Sequence, residues 1–120
     1  MIKPTAIRVL FFTSLAIAAY GMVAPPASAQ DDAKVKQGEK VYTAQKCQVC
    51  HSIKNKGGKA SPLDGVGGKL SADAIRHWIE DPLDAAAKAG STKKPPMPAK
   101  YKTLAAGDID ALVAYMQSLK

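Results

Sequence analysis

Residues 47–51 read Cys-Gln-Val-Cys-His, and they are the only two cysteines of the chain with a histidine directly behind them. Thiols at i and i+3 lie on one side of a helical turn. Two such thiols can add across the two vinyl groups of a haem, and the following imidazole can ligate the iron. The spacing is that of c-type haem attachment. A redox dithiol would need a βαβ context, which the pattern lacks. A structural zinc site needs four ligands. There is no second cysteine pair, and His77 alone leaves the set one short.

What precedes the motif suggests where the chain works. Lys3 and Arg8 form a positive start, Val9 to Ala24 is a largely apolar run, and Ala27-Ser28-Ala29 is a small-x-small site behind Pro25 and Pro26. This is the pattern of a secretory signal peptide over residues 1–29. The run is short for a membrane span, and no cysteine follows the site to carry a lipid. The expectation is an exported, periplasmic domain over residues 30–120, without a stable membrane anchor. Unligated thiols there would oxidise to each other.

Residues 30–120 keep 15 of the 17 basic residues and all 10 acidic ones, a formal charge of +5. A basic surface suits nucleic acid, anionic lipid or an acidic protein, and export argues against nucleic acid. Leu, Ile, Val and Phe make up 15 of those 91 residues, about 16%. That is thin for a folded core, where values below roughly 20% border on disorder. A buried macrocycle would supply the missing apolar surface.

The periodicity predicts an all-α domain of three main helices. Asp32 can cap the first, which runs to about Lys46 with Val35, Gly38 and Tyr42 on one face. From Lys54 to Leu70, glycines and Pro62 interrupt any period, which reads as a loop. Gly67-Gly68-Lys69 lacks the residues of a phosphate loop. Ser71 caps the second helix, with Ile75, Trp78 and Ile79 as its apolar stripe, and Pro82 stops or kinks it. A further turn over Leu83 to Ala89 ends at Gly90, and a proline-rich loop follows around Met97. The last helix spans about Ala105 to Leu119, with Ile109, Leu112, Val113, Met116 and Leu119 at helical spacing.

His51 is the expected proximal ligand, through Nε2. Its Nδ1–H needs an acceptor, for which a backbone carbonyl of Ser61-Pro62-Leu63 is the candidate. The sixth ligand is argued by elimination. Met116 lies on the stripe of the last helix and reads as core. Met97 sits between prolines, which limit the loop's unfolded freedom and favour a held sulfur. His77 is the rival, and its place opposite the stripe reads as surface. Trp78 reads as core, with a reach to a haem propionate as the other possibility. Lys54, Lys56, Lys59, Lys69, Lys88, Lys93, Lys94, Lys100 and Lys102 surround the two loops that would support the iron. Near a haem edge they would steer an acidic partner; a plain solvated surface is the competing reading.

These residues together resemble the class I cytochromes c, small bacterial monohaem proteins, over nearly all of Asp32 to Lys120. Gly38 and Tyr42 match the family's first helix, and Leu112 and Tyr115 match the positions it crosses on the last. Pro62-Leu63 resembles the segment whose proline carbonyl holds the proximal histidine, and Met97 resembles the distal ligand. Ala105 and Ala106 depart from the Ser or Thr that often caps the last helix. The resemblance implies the cytochrome c fold around one haem c, bound covalently through Cys47 and Cys50, with His51 and Met97 on the iron. It implies a periplasmic electron carrier and not an enzyme, a monomer or a subunit of a redox complex. The other readings are a dedicated haem subunit of a larger oxidoreductase, and a ligand-binding or peroxidatic haem protein with an open sixth position.

Overall fold

The computed structural model describes residues 23–24 and 26–120. The expected leader falls mostly outside the described residues. Helix α1 is Ala27–Ala44. It starts five residues before Asp32, the expected cap, and crosses the expected cleavage point after Ala29. Pro26, extended at φ −60° and ψ 147°, sets the start. Its carbonyl accepts the first bonds, from the amides of Ala29 at 3.0 Å and Gln30 at 3.3 Å. Residues 27–34 are all exposed, so nothing packed against them overrides that local signal. One turn further on, Gly38, Val41 and Tyr42 are buried.

Lys46 takes the left-handed conformation, φ 57°, and turns the chain out of α1. Cys47–Val49 then form a short 3₁₀ turn. Three short strands follow: β1, His51–Ile53; β2, Lys56–Gly57; and β3, Ser61–Pro62. The order is β2-β1-β3, antiparallel on one side and parallel on the other. Lys54 and Asn55, at φ 50° and 62°, make the tight β1–β2 turn that positive φ at two central residues allows. Where the sequence reads as loop there is thus a small sheet. Ladders of two or three residues are too short to leave an alternating pattern.

The loop also holds a single helical turn, α2, Val66–Lys69. Helix α3, Ala72–Glu80, opens as expected on Ser71, whose hydroxyl accepts from the Ala74 amide at 3.1 Å. Pro82 ends it and begins α4, Pro82–Lys88, where a missing amide is harmless. The Asp81 carboxylate caps that start, accepting from Asp84 N at 3.2 Å. A 3₁₀ turn over Ala99–Thr103 leads into α5, Ala106–Ser118, whose start has no side-chain cap.

The three main helices α1, α3 and α5 enclose a core of Val41, Tyr42, Ile75, Ile79, Tyr101, Ile109, Leu112, Val113 and Met116. Helices α1 and α5 cross closely at Gly38, whose nearest neighbours are Ala111 and Tyr115. One turn on, the rings of Tyr42 and Tyr115 meet edge to face, centroids 5.7 Å apart. Trp78 departs from its expected place. Ile75 and Ile79 take the inward face of α3, while Trp78 is half-buried outside this core and turned toward α4. It lines a groove of about 340 Å³ with Leu70, Ala74, His77, Ala85, Lys88 and Ala89.

Candidate functional site

The Cys47–His51 segment is held by its backbone. The Gln48 carbonyl accepts from Gly58 N at 2.8 Å, and the Cys50 carbonyl from Ser61 N at 3.2 Å. The His51 carbonyl accepts from the Tyr42 hydroxyl at 3.2 Å. Burial, helped by Cys47 and Tyr115, pushes the Tyr42 phenol up to about 12, so the hydroxyl remains a donor. Gly57 and Gly58 let the β1–β2 hairpin close over the segment. Gly57 sits at φ +111°, and a β-carbon there would stand 2.2 Å from the His51 carbonyl oxygen. With the backbone so engaged, the side chains of Cys47 and Cys50 are spared from holding it.

Cys47 is half-buried and Cys50 exposed, and both are free thiols. Burial raises the Cys47 thiol, opposed by a backbone hydrogen bond and by Lys100. His51 is half-buried at the start of β1, with Nδ1 2.8 Å from the Ser61 carbonyl oxygen. A carbonyl only accepts, so Nδ1 carries a proton, and in the neutral imidazole Nε2 keeps its lone pair. The acceptor lies in the stretch expected from sequence, but it is Ser61 and not the proline that the family resemblance implies. The parallel register explains this: His51 pairs with Ser61, and Pro62 pairs with Ser52.

Met97 is half-buried in the loop between α4 and the second 3₁₀ turn. It packs against the same core cluster as Cys47. Lys100 and Tyr101, three and four positions further on, lie near Cys47. Tyr101 is buried, and its phenol is raised by that burial and then by Cys47 and Cys50. Cys47 and Met97 thus pack against one core cluster, and Cys50 and His51 follow Cys47 directly in the chain.

His77 is engaged elsewhere. Its Nε2 lies 2.7 Å from Asp84 Oδ2, which also takes Lys88 Nζ at 2.7 Å. Among the basic loops, Lys93 Nζ donates to the Ala60 carbonyl at 2.8 Å, and Lys100 lies 5.3 Å from the centre of the Tyr101 ring. Neither tie has a sequence signal. Nor has the Tyr42–His51 bond, since any hydroxyl can reach a carbonyl.

The donor set fits a c-type haem: two unpaired thiols, an imidazole with one free nitrogen, and a thioether. Ile53, Leu63, Leu70 and Leu104 are only partly buried against the core, which leaves apolar surface for a macrocycle. Neither the Trp78 groove nor a second groove, about 430 Å³ beside Ser52, Asn55, Lys59, Pro62 and Asp64, is lined by the four donor residues. Among the described residues, no helix is long and apolar enough to cross a membrane.

A family model described as Cytochrome c matches residues 35–120. Cytochrome c-555 of Methylococcus capsulatus is 31% identical over 116 residues, covering 96% of this chain and 85% of that protein. No solved structure gives a significant match.

Proposed function

The chain belongs to the cytochrome c family, and on that premise we propose that it is a periplasmic carrier of single electrons through one haem c. When bound, that group supplies a one-electron couple between ferrous and ferric iron. Cys47 and Cys50 would hold it through thioether bonds, and His51 and Met97 would ligate its iron. The proton on His51 Nδ1, held by the Ser61 carbonyl, fixes the ring and makes Nε2 a better donor. A thioether ligand would set a higher potential than a second imidazole. With His51 and Met97 both on the iron, the chain would leave no coordination site for a substrate, which favours a carrier over an enzyme. The leader signature in residues 1–29 supports export, and with it a mature chain that begins at Gln30. The exposed lysines around the two loops favour partners with acidic docking surfaces.

The observation that carries the reading is the His51–Ser61 bond next to two free thiols. The test is intact mass and optical spectra of the exported protein. The expected result is one haem-sized increment on a chain starting at Gln30. A thioether–iron charge-transfer band is expected as well, absent from Met97→Ala. No increment, or no such band in the wild type, overturns the assignment.

A further inference from the structure

The loop that carries Met97 is tied to the rest of the molecule at few points. Residues 91–96 and 98 are exposed, and only the Met97 side chain packs inward. Ser91 N bonds back to the Ala86 carbonyl at 2.9 Å, which fixes the loop's start. Lys93 N reaches only Ser91 Oγ, at 3.5 Å. Between Thr92 and Pro98, among the described residues, one hydrogen bond leaves the loop. It runs from Lys93 Nζ to the Ala60 carbonyl, 2.8 Å, across 33 positions of sequence.

Its landing point matters. Ala60 directly precedes Ser61, whose amide holds the Cys50 carbonyl and whose own carbonyl orients His51. Pro95, Pro96 and Pro98 stiffen the segment between Lys93 and the end of the loop. A tether at one end of a stiff segment restrains the other end.

We propose that Lys93 is a positioning residue, a strap that ties the Met97 loop to strand β3 and so couples the supports of the two axial ligands. The proposal rests on Met97 being the distal ligand. Releasing the sulfur then requires the loop to lift, and lifting it breaks the Lys93–Ala60 bond. One solvent-exposed hydrogen bond of ordinary net strength corresponds to about a threefold to tenfold change in that equilibrium.

The test uses the ferric holoprotein mixed with saturating imidazole, following loss of the thioether–iron band, together with amide hydrogen exchange at Thr92, Lys94 and Met97. Lys93→Gln is expected to lose the band about threefold to tenfold faster and to exchange faster at these amides. Lys93→Arg, which keeps a long donor, should restore both. Lys94→Gln removes the same charge next door and should match the wild type. The strap is overturned if Lys93→Gln behaves as wild type in both readouts, or if Lys94→Gln accelerates displacement equally. A wild type without the band would remove Met97 as ligand. In that case faster exchange in Lys93→Gln still upholds the tether, and unchanged exchange overturns it.

Discussion

A β-carbon placed on Gly38 would stand 2.6 Å from the β-carbon of Tyr115 and 2.0 Å from the Ala111 carbonyl oxygen. Helices α1 and α5 therefore touch backbone to backbone at this point. The closest neighbours are Ala111 and Tyr115, with Leu112 turned into the core. The carbonyl oxygen is fixed within α5 and cannot move aside as a side-chain tip could. Gly38→Ala must push the helices apart, and that strain exceeds the roughly 1 kcal/mol that alanine gains in helix propensity. The expected net loss is about 1–3 kcal/mol. Chemical denaturation of the holoprotein measures it; an equal or higher midpoint would mean that the two helices are not in contact there.

The Cys47–His51 segment has a similar dependence on the hairpin that covers it. At Gly58 a β-carbon would lie 2.2 Å from the Val49 carbonyl oxygen, and the Gly58 amide is the donor to Gln48. Gly58→Ala should displace the segment and lower the fraction of chain that carries covalent haem, read as the ratio of loaded to unloaded mass. Gly68→Ala is the control, because nothing lies within 4 Å of its β-carbon position. Equal loading in both variants would show that the hairpin does not shape the attachment segment.

What the sequence made legible were the features with local signals. Ser71 caps α3, Pro82 separates α3 from α4, and the apolar stripe of α5 buries Met116. What stayed hidden depends on parts distant in sequence. The β1–β3 pairing decides that Ser61, and not Pro62, meets His51. Trp78 reads as core from its spacing, yet α4 folds back against that side of α3 and leaves the indole on a groove. Helix α1 starts directly after Pro26 because proline sets its own conformation, whereas Asp32 caps only if the helix happens to begin there. The Tyr42–His51 and Lys93–Ala60 bonds end on backbone carbonyls, which every residue has.

His77 is held by Asp84, which a ligand role would have to break. With Nε2 2.7 Å from that carboxylate and the side chain 39% exposed, it serves the α3–α4 corner. His77→Gln should leave the ferric and ferrous spectra and the reduction potential of the holoprotein unchanged. Loss of a low-spin spectrum in this variant would make His77 the distal ligand in place of Met97.

Tyr115 gives the alkaline limb of stability a definite sign. Burial, then Glu39, raises its phenol above the usual value of 10.0. The unfolded chain thus loses this proton first. The stability that Tyr115 contributes is complete below about pH 10 and is lost as pH rises through the higher folded value. Tyr115→Phe cannot ionise, so its stability should fall less steeply between about pH 9 and 11. Urea midpoints of both proteins across that range decide the point; parallel curves would mean that Tyr115 ionises no harder in the folded state.

The last prediction concerns the chain without its haem. Among the described residues, nine form the enclosed core, and Cys47, Ile53, Leu63, Leu70, Met97 and Leu104 rest only half-buried against it. At about 25 cal/mol per Å² of apolar surface removed from water, half-buried side chains forgo much of the stabilisation that full burial gives. The conformational entropy cost of ordering the chain, about 1–2 kcal/mol per residue, remains in full. The pentapeptide and the Met97 loop lie at separate places in the sequence, and the proposed thioether and axial bonds would join both to one rigid group. Without it, loop closure between them must be met by packing alone. The double variant Cys47→Ser, Cys50→Ser, prepared free of haem, is therefore expected to lack native helicity and to melt without a cooperative transition. Circular dichroism against temperature tests this. A sharp transition with helicity like that of the holoprotein would show that the chain's own apolar residues suffice to hold α1, α3 and α5 together.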